Sequence, residues 1–73
     1  MNKASIEKRE LPNMIFTVEE TSKILKSSTN TIYNLIRQGK IKALKLGRLK
    51  VPMFELERFL RDNLGEDLSE YVC

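Results

Sequence analysis

The sequence predicts one small α+β domain, mostly helical, in which two short helices meet at a tight turn and lead into a two-stranded hairpin and a third helix. Three observations carry that expectation. Thr17-Val18-Glu19-Glu20 is a capping-box pattern that opens a helix. Ser28 and Gly39 bracket a second stretch with helical apolar spacing. Between Leu44 and Val51 the period changes to two around Gly47-Arg48. With 73 residues and a single cysteine, Cys73, no internal disulfide can form, so a few patterned side chains must supply the core. Cys73 itself is expected to be an exposed or frayed thiol.

Taken in order, residues 1–15 show no clear period and contain Pro12, which suits a mobile arm pinned near Met14, Ile15 and Phe16. The first helix starts at Val18, and Val18, Thr21, Ser22 and Leu25 share one weakly apolar face. Lys26-Ser27-Ser28 interrupts it. Ser28 is a good N-cap for a helix from Thr29 to Gln38, with Gly39 as its left-handed terminator. Ile32, Leu35 and Ile36 cluster on one side of this helix, and Asn30, Asn34 and Arg37 on the other. Gly47-Arg48 reads as a two-residue type II′ turn that pairs Leu46 with Leu49, Lys45 with Lys50 and Leu44 with Val51. That register puts four apolar residues on one face and sets two lysines opposite each other, which favours a bound phosphate above them. Pro52 suits the start of a third helix carrying Met53, Leu56, Phe59, Leu60 and Leu64 and ending at Gly65. Phe54 lies off that stripe, as a second core face or an exposed contact. Residues 16–64 form the expected domain, and the acidic tail 65–73 has three open fates: to fray, fold back or meet a partner.

Charge is distributed unevenly. From Thr21 to Lys50 there are eight basic residues and no acidic one, whereas residues 1–20 sum to −1 and residues 51–73 to −4. A soluble surface normally mixes both signs, so a polyanionic partner is expected. Enzymatic activity is not: there is no His, the only Cys is terminal, and the carboxylates are expected at caps and on exposed faces of the first and last segments. No metal-ligand spacing or phosphate-binding glycine loop occurs, so neither metal nor cofactor is expected. No apolar leader or membrane-length run is present, and a cytoplasmic location away from membranes is expected.

The order helix, turn, helix, hairpin, helix is that of a winged helix-turn-helix. Asn30, Asn34, Arg37 and Tyr33 are the candidates for reading bases, Asn being able to bond adenine and Arg guanine in two places each. Tyr33 has a second reading, half-buried at the edge of the apolar side. For the DNA backbone the candidates are Lys26, Ser27, Ser28, Thr29 and Thr31 around the second helix N-terminus, and Lys42, Lys45, Arg48 and Lys50 on the hairpin. For Ser28 the cap role is sufficient by itself.

Phe16 to Glu20, Ser28 to Ile36 (STNTIYNLI), Arg37-Gln38-Gly39-Lys40-Ile41, Lys45-Leu46-Gly47-Arg48 and Val51-Pro52 together resemble the excisionase family, whose fold is similar to the winged helix of MerR-type regulators. The resemblance covers about Phe16 to Leu60. It implies a DNA-binding protein of a mobile element that bends or coats duplex DNA so that a tyrosine integrase excises, with adjacent copies binding cooperatively. It also implies that Thr29, Asn30, Tyr33, Asn34 and Arg37 read the major groove and that Arg48 reaches backbone or minor groove. Where the family turn often has Gly followed by an apolar residue, this chain has Lys26 and Ser27. A small transcription regulator of the same fold is the alternative; a protein-interaction adaptor using Leu68, Tyr71 and Val72 or Phe54 is the alternative of another class, although it leaves the basic block unexplained.

Overall fold

The computed structural model describes residues 15–72. Its elements are β1 (Ile15–Thr17), α1 (Val18–Ile24), α2 (Thr29–Arg37), β2 (Leu44–Leu46), β3 (Arg48–Pro52) and α3 (Met53–Asp62), followed by a 3₁₀ turn at Ser69–Tyr71. The arm expected over residues 1–15 lies outside the described residues except for Ile15, and so does the thiol of Cys73. Ile15 is not arm but strand: β1 pairs antiparallel with β3, Phe16 opposite Val51, so the sheet has three strands in the order β1-β3-β2 rather than two.

Both expected caps form. Thr17 accepts from the Glu20 amide at 3.0 Å while Glu20 Oε1 accepts from the Thr17 amide at 2.9 Å, and the Ser28 hydroxyl accepts from the Thr31 amide at 3.2 Å. The polar inner face of α1 is buried without orphaned groups. Thr21 Oγ1 donates to the Thr17 carbonyl and Ser22 Oγ to that of Glu19, which lets two hydroxyl residues pack where leucines would otherwise stand.

The turn between the helices explains the sequence departure at Lys26. The amide of Ser27 donates to the Ser22 carbonyl and that of Lys26 to Lys23, a Schellman closure that requires a left-handed residue; Lys26 occupies it at φ 55°. A residue with a Cβ is strained there. Lys26→Gly should therefore raise stability by about 0.5–1 kcal/mol after allowing for the floppier unfolded chain, read from the urea midpoint. Gly39 closes α2 in the same way, at φ 80°.

The hairpin differs from its expected register. Leu44 pairs with Lys50, Lys45 with Leu49 and Leu46 with Arg48, and Gly47 alone makes the reversal at φ 72°. Ile41 is fully buried and Ala43 packs against the core, so odd-numbered residues entering β2 face inward; Leu49 and Val51 do the same on β3. Antiparallel partners share a face, which forces odd to pair with odd. Leu44 and Leu46 therefore point outward, Leu46 with 61% of its surface exposed, beside Arg48 and Lys50. No pair of lysines faces across the ladder, so no like-charge opposition marks a phosphate site there.

Val18, Ile32, Leu35, Ile41, Val51, Leu56 and Phe59 form the core. Helix α3 stops at Asp62, short of the expected Gly65, and the Asn63 amide and side chain both donate to the Phe59 carbonyl at its end, at 3.1 and 2.9 Å. Leu64 is consequently 86% exposed, Leu60 stands half in water, and Phe54, 67% exposed, is an outward side chain rather than a second core face. One carboxylate also departs from expectation: Glu55 is 7% exposed. Its Oε2 accepts from the Lys42 amide at 2.8 Å and from Arg58 Nη2 at 2.5 Å, and Oε1 accepts from Arg58 Nε; Arg58 in turn donates to the Lys40 carbonyl at 2.8 Å. This clamp ties α3 to the segment that leads from α2 into the hairpin. The Arg58 guanidinium, against the opposing cost of burial, holds the Glu55 carboxyl below its ordinary pKa, helped by the Lys42 amide.

Candidate nucleic-acid interface

Helix α2 is the element on which the candidate residues converge. Its inner side carries Ile32 and Leu35 into the core, and at roughly 100° per residue Asn30 and Arg37 fall together on the opposite side, Tyr33 on one flank and Asn34 and Gln38 on the other. Asn30, Arg37 and Gln38 are exposed, and Tyr33 keeps 40% of its surface in solvent, which decides against its burial.

The two flanks have different neighbours. On the Tyr33 side a groove is lined by Lys45, Gly47 and Arg48 of the hairpin together with Thr17 and Glu19 at the start of α1. The register that turned Leu44 and Leu46 outward also brought Lys45 to this inner side, next to Tyr33. On the other side the C-terminal segment packs against α2: Asn34 Nδ2 donates to the Tyr71 carbonyl at 3.1 Å, and Asn34, Gln38, Glu70 and Tyr71 border a shallow groove. Asn34 Oδ1 accepts from Arg37 Nη2. Asn34 is thus half-buried, its amide engaged on both sides, whereas the sequence placed it beside Asn30 on an open face.

Around the N-terminus of α2, Lys26 and Ser28 are exposed and Ser27 and Thr29 half-buried. Thr31 is 4% exposed and its hydroxyl lies 3.0 Å from that of Ser28, so it serves the cap and is turned away from any external phosphate. On the hairpin, Lys42, Lys45 and Arg48 are exposed; Lys50 is half-buried and its Nζ reaches the Leu46 carbonyl at 3.5 Å. The structure therefore brings Tyr33, Lys45 and Arg48 to one groove, leaves Asn30 and Arg37 on the adjoining exposed face of α2, and engages Thr31 and Asn34 elsewhere.

Three contributors to this surface were not singled out for DNA contact from the sequence. Gln38 flanks the outer face of α2 and borders the tail groove. The Glu55–Arg58 clamp positions the hairpin relative to α2; the spacing of three between a Glu and an Arg is its one sequence signal, and many exposed helices share it. Glu70 and Tyr71 come to α2 only because the chain reverses at Gly65, where φ is 90°.

Comparison with known families gives one finding: a model described as a helix-turn-helix domain matches residues 15–64. Comparison with curated proteins and with solved structures gives no match. No helix among the described residues is long and apolar enough to cross a membrane.

Proposed function

The chain belongs to the helix-turn-helix domain family, and from that premise we propose that it binds duplex DNA sequence-specifically, with α2 in the major groove and the β2–β3 hairpin as a basic wing on the flanking backbone. The observation that carries this reading is the groove in which Tyr33 of α2 meets Lys45 and Arg48 of the hairpin, next to the exposed α2 face of Asn30 and Arg37, in a stretch from Thr21 to Lys50 that holds no carboxylate. Arg37 and Asn30 supply the forked donors and acceptors that distinguish bases, Tyr33 stacks on sugar or bonds a phosphate, and Lys26, Ser27, Ser28 and Thr29 approach a phosphate at the helix start. Lys45, Arg48, Lys42 and Lys50 add sequence-independent attraction. The role is binding rather than catalysis.

Within that reading, the residues shared with the excisionase family support an architectural role, in which adjacent copies bend recombination-site DNA for a tyrosine integrase; repression of an overlapping promoter is compatible with it. Selection from a pool of random duplexes at two salt concentrations, followed by sequencing, tests the proposal. Enrichment of a short directly repeated motif with steep salt dependence is the expected result. An isolated inverted repeat would point instead to a dimeric transcription regulator, and no retention at low salt would overturn DNA binding and leave a protein adaptor as the reading to pursue.

The hairpin has its own expected result. Lys45→Ala should weaken specific and random duplexes alike and lower the slope of log affinity against log salt by about one, because one phosphate contact and its released counterion are lost. A change confined to the preferred sequence would assign Lys45 to base readout.

A further inference from the structure

The segment after α3 does more than end the chain. Gly65 reverses it, Asp67 Oδ1 accepts from the Ser69 amide at 3.0 Å and hydroxyl at 2.5 Å to start the 3₁₀ turn, and Leu68 and Tyr71 pack against the core beside Leu25, Leu35 and Phe59. The result places a carboxylate, Glu70, at the groove bordered by Asn34 and Gln38, and commits the Asn34 amide to the Tyr71 carbonyl. From Gly65 to Val72 the segment carries Glu66, Asp67 and Glu70 and no basic residue. Next to a helix expected to meet phosphates, an acidic segment is electrostatically opposed to the partner, and it occupies a donor that could otherwise face a base edge.

We propose that residues 65–72 act as a cis-acting competitor of DNA: docked, they cover the Asn34–Gln38 flank of α2, and full engagement of duplex displaces them. This rests on the DNA-binding reading above. The docked contact is small, a three-residue turn whose Leu68 and Tyr71 side chains pack on the core while the Tyr71 carbonyl accepts from Asn34, which is what a displaceable cover requires. On displacement, Asn34 and Gln38 join Asn30 and Arg37 as readers, and Glu70 leaves the interface.

The test uses the full chain and a short duplex of random sequence. Leu68→Asn, which removes an apolar anchor, is expected to tighten binding roughly five- to tenfold, the range of a modest intramolecular coupling. Glu70→Gln, which weakens the carboxylate's hydrogen bond to the Tyr71 side chain while keeping both apolar anchors, is expected to tighten it roughly two- to threefold, and it keeps the question open to refutation if Leu68→Asn fails to fold. In the wild type, the Asn34 side-chain amide and Tyr71 NMR resonances should move on adding duplex towards their positions in Leu68→Asn. Unchanged or weaker binding by Glu70→Gln, or a tail whose resonances stay in place in the DNA complex, would overturn the competitor role while leaving DNA binding intact. Failure of wild type and both variants to bind duplex at low salt would overturn the DNA reading and this proposal with it.

Discussion

Glu55→Ala is expected to lower the stability of the domain by about 2–3 kcal/mol, a large part of what so small a core supplies. The substitution leaves the Lys42 amide without its acceptor and strips Arg58 of its main partner, though Arg58 keeps 40% of its side chain in water and can rehydrate, which places the loss below that of a fully buried pair. The effect is also pH-dependent, with a definite sign. Because the folded carboxyl titrates below its ordinary value, its contribution is complete above that value and disappears as pH falls through the depressed folded one. Urea unfolding of wild type and Glu55→Gln as a function of pH checks this: glutamine keeps an acceptor for Lys42 but has no titration, so the difference between the two proteins should shrink as the solution becomes acid. A constant difference would assign the acid sensitivity to other carboxylates. Since the clamp links α3 to the Lys40–Lys42 segment, the same variant should also loosen the hairpin, seen as faster amide exchange in β2 than in α1.

Arg37→Ala is expected to cost about 1–3 kcal/mol in binding to the selected sequence and to relax the preference at one base position, with little change on random duplex. Arg37 stands at the centre of the exposed side of α2, and its bond to Asn34 uses one of five donors, so the guanidinium can turn to a guanine without stranding a buried partner. Titration of both duplexes at one salt concentration gives the answer. Equal weakening of the two would make Arg37 a phosphate contact, and base readout would then fall to Asn30.

Much of the helical part was legible because its signals are local. The Thr17–Glu20 capping box, the Ser28 cap and the left-handed Gly39 each act within one turn of chain, and all three took the expected form. The same holds for the apolar side of α2, where Ile32 and Leu35 had only one direction in which to be buried. The hairpin was half legible. Alternation revealed two strands, yet Gly47-Arg48 is compatible with more than one turn, and the phase was decided by Ile41, Ala43 and Val51 entering a core that the hairpin sequence does not contain.

By itself, then, the sequence determined the helix boundaries at their caps, the inner and outer sides of α2 and the basic stretch that points to a polyanion, since each depends on neighbours within a few residues or on charge alone. The tertiary structure decided the third strand at Ile15–Thr17, the register that sets Lys45 beside Tyr33, the burial of Glu55 against the Lys42 amide and the docking of Tyr71 on Asn34. Each of those joins residues distant in the chain, Asn34 and Tyr71 being 37 positions apart, and a contact of that kind forms only once the shared core has fixed where both partners stand.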